Sequence, residues 1–214
     1  MPRTRIIAGM LALLALVLGA GCNIVGPVAY AIHGPGNVNA KYELDRKVAT
    51  VIFVDDPSGR ITDRRLRDLM AQTATTVMMS RARMDDMIDP TAVLTVASKD
   101  SFQNPLSIVE IGQAVGADVL IYVALNQFDL EGPGQTFLPT ATLAVKVMDI
   151  TEGRRVWPDG SEGAFIRVGG DYRPGIAPRT SADLIKAEEQ LAAKAALGIA
   201  QLFYTHEITE SVIR

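Results

Sequence analysis

The chain predicts an α/β (α+β) fold: a mixed, mostly antiparallel sheet of about five strands with helices packed on it and a long helix near the C-terminus. Three observations carry this expectation. Two short runs, Val48–Val54 and Asp118–Leu125, are almost wholly apolar and rich in β-branched residues, the pattern of strands buried on both faces. Segments of helical period stand between and after them. Ala141–Ile150 alternates, with Leu143, Val145 and Val147 on one face and Thr142, Lys146 and Met148 on the other, as an antiparallel strand with one half-exposed side does.

Taken in order, the folded domain spans residues 46–207, and the first strand stops at Asp55-Asp56-Pro57. Thr62 is placed to cap the helix that follows. There Leu66, Leu69, Met70, Thr73 and Val77 lie at helical spacing opposite Arg64, Arg65, Arg67 and Asp68. The methionines at 70, 78, 79, 84 and 87 read as core filling, with an adaptable binding surface as the alternative. Thr91–Ala97 reads as a second strand. Asn104-Pro105 opens a helix lined by Leu106, Val109, Ile111 and Val115 and ended by Gly116. The strand Asp118–Leu125 is expected at the centre of the sheet. Glu131-Gly132-Pro133-Gly134 turns the chain, and Thr151-Glu152-Gly153 is a tight turn into a short strand, Arg154–Trp157, with Trp157 packed at the sheet end. Ala164–Val168 is one more strand. Thr180 starts the long helix, with Asp183 at capping-box spacing and a stripe of Leu184, Leu191, Ala195, Leu197, Ile199, Leu202 and Phe203. Residues 208–214 form a tail.

The N-terminal segment carries the clearest signal. Arg3 and Arg5 precede an uncharged apolar run, Ile6–Ala20, which ends in small residues before Cys22, the one cysteine of the chain. This is the layout of a secretory signal, and it resembles a bacterial lipoprotein signal, with Gly19 standing where that pattern usually has Leu. The resemblance implies a signal peptide over residues 1–21, cleavage before Cys22, lipid on its sulfur and acylation of the new amino terminus. Spanning a bilayer takes about 20 apolar residues, and Pro27 and Gly34-Pro35-Gly36 stop any extension of this run. Residues 22–45, with their Pro and Gly, read as the lipidated Cys and a tether. Asn23 differs from the Asp that retains some lipoproteins in the inner membrane, which favours the outer membrane, facing the periplasm.

Composition narrows the partners. Loss of residues 1–21 removes Arg3 and Arg5 and no acid, taking the formal charge from −3 to −5. That argues against nucleic acid or anionic lipid as the main partner. With no cysteine beyond Cys22, a disulfide framework and a thiolate metal site are excluded. No cofactor is implied.

The sharpest local feature for chemistry is Asp55-Asp56, since ligands of open α/β sheets bind at the carboxyl ends of strands. Val-Ile-Phe-Val-Asp-Asp also resembles the opening of a phosphoryl-accepting receiver domain, but the third Asp and the later Lys of that family have no counterpart at the strand ends here. The competing reading is two surface acids preparing a turn with Pro57 and Gly59. His33 and His206 read as solvated or capping residues, and the acidic run Met84–Asp89 as a solvated helix exit. No residue reads as catalytic, and the chain is expected not to be an enzyme.

The segment Ile108–Asp118 followed by an apolar strand, and the hairpin Val145–Trp157 with Asp before its turn, Gly in it and Trp after it, resemble bacterial envelope lipoproteins. These are the CsgG-like and LpoB-like group, related in fold to the TolB amino-terminal domain. The resemblance covers about residues 46–206 and implies a non-enzymatic envelope protein acting through contacts. Curli-type members form channels with long amphipathic hairpins, and no such pair is expected here, residues 131–140 being too short. The activator-type layout of lipid, tether and compact domain fits better. The expected function is therefore a lipid-anchored adaptor or regulator of another envelope protein. The alternatives are a subunit of an oligomeric export complex, which leaves a homo-oligomer open, or a small-ligand or cation-binding protein using Asp55 and Asp56.

Overall fold

The structure, a computed structural model, describes residues 36–98, 106–132, 134, 136–160, 162–169 and 177–213. The main elements are β1 (Thr50–Asp55), α1 (Arg64–Val77), α2 (Pro90–Ala97), α3 (Ile108–Ala114), β2 (Val119–Gly132), β3 (Thr136–Asp149), β4 (Arg154–Trp157), β5 (Ala164–Gly169) and α4 (Ser181–Gln201). The sheet has five strands in the order β1-β2-β3-β4, with β5 also paired to β3; β1 and β2 are parallel and the other pairs antiparallel. The mixed, mostly antiparallel sheet and long C-terminal helix expected from the sequence are present. β2 is central, between its parallel and antiparallel partners.

The two-residue strand period sorts the core into two layers. On one face Ile52, Val54, Ile121, Val123, Leu143, Val145 and Val147 meet α1 and α4. On the other, Val51, Phe53 and Leu120 meet Val93 of α2, Ile111 of α3 and Ile150. This second layer lies over β1 and the start of β2, while Phe165 and Arg167 of β5 stand exposed farther along. Trp157 lies between Tyr42 and Phe203, at ring-centroid distances of 5.8 and 6.2 Å. Tyr42 and Leu44, read from sequence as tether, lie against the core. Among the described residues no helix is long and apolar enough to cross a membrane.

Three local expectations change. Thr91–Ala97 belongs to helix α2, not to a strand. Pro90 sits in its first turn, and the Asp89 carboxylate accepts the Thr91 N–H at 2.9 Å, which together start a helix in a run that otherwise favours β structure. The cap of α1 is Asp63 rather than Thr62. α3 begins at Ile108 behind a Ser107–Glu110 capping box; Asn104 and Pro105 lie outside the described residues. Gly116 takes φ +75°, ending α3 as expected. A fourth change concerns length. β2 and β3 each run 14 residues, to Gly132 and from Thr136, so they are longer at the hairpin end than the expected runs Asp118–Leu125 and Ala141–Ile150, and the break between them falls at the expected Glu131–Gly134 turn.

Helix starts hold four carboxylates below their ordinary values. The cause is first the Arg65 side chain for Asp63, the backbone of Thr91 for Asp89, the backbone of Ser107 for Glu110, and the Thr180 side chain for Asp183. A carboxyl depressed in the folded state releases its proton more readily there than in the unfolded chain. Its contribution is therefore present above the unfolded value and lost as pH falls through the folded one. The expected result is a melting temperature that drops as pH falls below about 4, with a shallower slope in Asp183→Asn and Glu110→Gln, read from thermal unfolding against pH.

Gln201 ties the last described residues down. It is buried in α4, its Nε2 donates to Glu210 O at 2.7 Å, and its Oε1 accepts the Val212 N–H at 2.9 Å. Gln201→Leu leaves both backbone groups without these partners. A loss of about 2 kcal/mol is expected, with faster hydrogen exchange at the Val212 amide as its local sign.

In the smaller of the two compact units, the described residues are 36–38 and 207–209. There Ile208 N donates to Gly36 O at 2.8 Å.

Candidate functional site

The parallel register separates Asp55 from Asp56. Phe53 pairs with Tyr122 and Asp55 with Ala124, so Phe53, Asp55 and Tyr122 share the α2/α3 face. Tyr122 Oη donates to Asp55 Oδ2 at 2.8 Å, and the Phe53 and Tyr122 rings meet edge-on at 5.8 Å. Burial first, then the Asp55 carboxylate, raise the Tyr122 hydroxyl far above the ordinary tyrosine range, so it stays a donor. Asp56 has a different task. Its carboxylate accepts the N–H groups of Arg60 and Ile61 at 2.8 and 2.7 Å, closing the turn in which Gly59 takes φ +62°. The turn reading holds for Asp56, and Asp55 alone faces a cleft. Among the described residues no group of three His, Cys, Asp or Glu is placed to hold a metal ion.

That cleft, about 700 Å³, has Phe53, Asp55 and Tyr122 as its floor. Arg64 and Arg67 of α1 line one side, and Leu94 of α2 with Ile108 and Ile111 of α3 the other. Sequence reasoning missed Tyr122 and the two arginines, because only the register of strands 67 residues apart brings Tyr122 to Asp55.

A second surface gathers at the start of α4. Ser181–Lys186 are all exposed and Ala187 is the first buried residue, so more than one turn of the helix start is uncovered. Leu184 sits seven residues before Leu191, in line with the apolar stripe, yet 44 % of it is exposed, and Ile185 is 48 % exposed. The expected place of Leu184 in the buried stripe is therefore corrected: it borders an open groove instead of packing in the core. Beside Leu184 lies a groove of about 720 Å³ floored by Ile61, Leu66, Phe128 and Leu130, the last two from the extended β2. Ile185 borders a smaller hollow with Leu66 and Leu69. Around the two stand six carboxylates, Asp63, Asp68, Asp129, Glu131, Glu188 and Glu189, against the guanidiniums of Arg60 and Arg65. Arg65 is already paired to Asp63 at 2.7 Å.

The remaining sequence candidates take structural places or fall outside. Cys22 and His33 lie outside the described residues. His206 is buried rather than solvated, with Nδ1 at 3.2 Å from Tyr204 O and its ring edge-on to Tyr204. Met70, Met78 and Met84 fill the core, while Met79 is exposed. The acidic run joins α1 to α2: Asp86 O accepts the Thr50 N–H, and Asp89 caps α2. Asp118 is held by its backbone, which donates to Ala49 O and accepts from Ile150 N.

No family model and no curated protein matches the chain. Solved structures show a distant likeness. A PelC dodecamer from Paraburkholderia phytofirmans is 14 % identical over 79 % of this chain and 96 % of its own, with a TM-score of 0.44. Lipoprotein GNA1162 from Neisseria meningitidis is 16 % identical over 64 % and 91 %, with a TM-score of 0.37. Protein XCC0632 from Xanthomonas campestris, of the DUF330 family model, is 11 % identical over 76 % and 84 %, with a TM-score of 0.43. At such values the likeness carries no function to this chain.

Proposed function

We propose that this chain is a lipid-anchored, non-enzymatic envelope protein whose domain docks onto another envelope protein, as an adaptor or regulator. The observation that carries the reading is the uncovered start of α4. Leu184 and Ile185 stand exposed beside an apolar-floored groove, a contiguous feature that single surface hydrophobics do not make. The acidic surround favours a partner segment of apolar residues flanked by Lys or Arg. The signal ending at Cys22 supports lipid anchoring, at the outer membrane facing the periplasm. The Ile108–Asp118 and Val145–Trp157 resemblance to the LpoB-like and CsgG-like lipoproteins supports action by contact.

Affinity purification from detergent-solubilised membranes, with Cys22→Ser as the unanchored control, tests this. One envelope protein enriched with the anchored chain is the expected result. Recovery of this chain alone would contradict the adaptor reading and favour a homo-oligomer.

A further inference from the structure

The cleft at the carboxyl end of β1 holds chemistry that a docking role does not use. Arg64 and Arg67 stand three residues apart, on neighbouring positions of one helix face, and both line it. Among the described residues neither has a carboxylate within 4 Å, unlike Arg65 with Asp63 and Arg154 with Glu152. Arg67 Nε is shut off from solvent and, among the described residues, has no acceptor. That atom is as closed to a ligand in the cleft as it is to water, so an entering oxyanion meets Arg67 through its Nη groups, which are not enclosed in this way. Asp55, one of whose oxygens accepts from Tyr122, opposes an anion on its side of the cleft, so the head group belongs at the arginines. The rest of the lining is mixed, with Leu94, Ile108, Ile111 and Phe53 as apolar surface beside the hydroxyls of Thr91, Thr95 and Ser98. A volume of about 700 Å³ lies within the range of small-molecule sites, which combine apolar walls with a few placed polar groups.

We propose that this cleft binds a small amphipathic organic anion. Its oxyanion head, a carboxylate or phosphate, is held by Arg64 and Arg67, and its apolar body lies against Phe53, Leu94 and Ile111. The site shares no lining residue with the groove beside Leu184, so the two readings stand or fall separately.

The test uses three probes of one shape: 2-naphthoate, 2-naphthyl phosphate and the uncharged 2-naphthylmethanol. Binding is read by calorimetry and by backbone amide shifts in the full chain in detergent. The expected result is saturable binding of the anions with shifts centred on Phe53, Leu94 and Ile111, and at least about tenfold weaker binding of the alcohol. Arg64→Gln and Arg67→Gln should each weaken the anions about tenfold and leave the alcohol unchanged, while Arg65→Gln changes neither. Arg64 is exposed, so its variant keeps the test intact should Arg67→Gln fail to fold. The order of the two anions tells which head group the site prefers. Equal binding of the alcohol, anion binding unchanged in Arg64→Gln, or no saturable shift up to about 10 mM overturns the proposal.

Discussion

Gly169→Ala is expected to lower folding stability by more than about 4 kcal/mol, the range reserved for severe steric or core defects. Gly169 closes β5 opposite Thr140 of β3 and takes φ +84°, a conformation L side chains rarely adopt. An added Cβ would stand 2.1 Å from Pro139 O, a backbone atom fixed within β3, and 3.4 Å from Leu191 of α4. Relief requires β5 to move off β3, and α4 packs on β5. Gly153→Ala is the matched control. Its φ is +64° but nothing lies within 4 Å of the new Cβ, so only the conformational cost of about 1–2 kcal/mol remains. Chemical denaturation of the two variants separates the clash from the backbone preference. A Gly169→Ala cost as small as that of Gly153→Ala would mean the β3–β5 contact is not as described.

The second large effect is on binding. Leu184→Asp with Ile185→Asp should cut recovery of the partner at least about tenfold, as removal of central interface anchors does, while leaving the melting temperature within a few degrees. Both residues are already half in solvent on an uncovered turn, so an acidic replacement removes little from the core. It also adds negative charge to a carboxylate-rich rim, although a basic partner keeps part of its attraction. Partner recovery unchanged by the double variant would move the docking surface elsewhere.

The parts of the fold legible in the sequence are those where burial on both faces leaves a continuous apolar run. The middle of β1 and the first half of β2 read correctly because cover on both faces makes their positions apolar, and β3 because its alternation matches its half-covered face. α2 misleads for the same reason. Thr91-Ala-Val-Leu-Thr-Val-Ala is β-branched and uncharged, and the Asp89 cap and Pro90 decide against that preference. Past Leu125 the sequence shows β2 only as an extension reaching Asp129, and its full length is hidden because Asn126, Gln127, Asp129 and Glu131 interrupt the apolar run. Yet Phe128 and Leu130 alternate with them, and the register shift at Asn126 is the irregularity that hides the period. That hairpin extension supplies Phe128, Asp129, Leu130 and Glu131 to the groove beside Leu184, so the docking surface could not be read from sequence. The Asp55 cleft was half legible. The strand end marked Asp55, and the turn that Asp56 closes was legible from Pro57 and Gly59, but bringing Tyr122 beside Asp55 needs the parallel pairing of β1 with β2.

The central claim, that the start of α4 and the hairpin beside it receive another envelope protein, is tested most directly by photo-cross-linking in intact cells. A photoreactive residue is placed at position 184, at 185, and at exposed Glu152 in the β3–β4 turn as the remote control. The account predicts one dominant cross-linked protein at 184 and 185, absent at 152, joined through an apolar segment flanked by Lys or Arg. Cross-links to this chain alone, or the same products from all three positions, would contradict it.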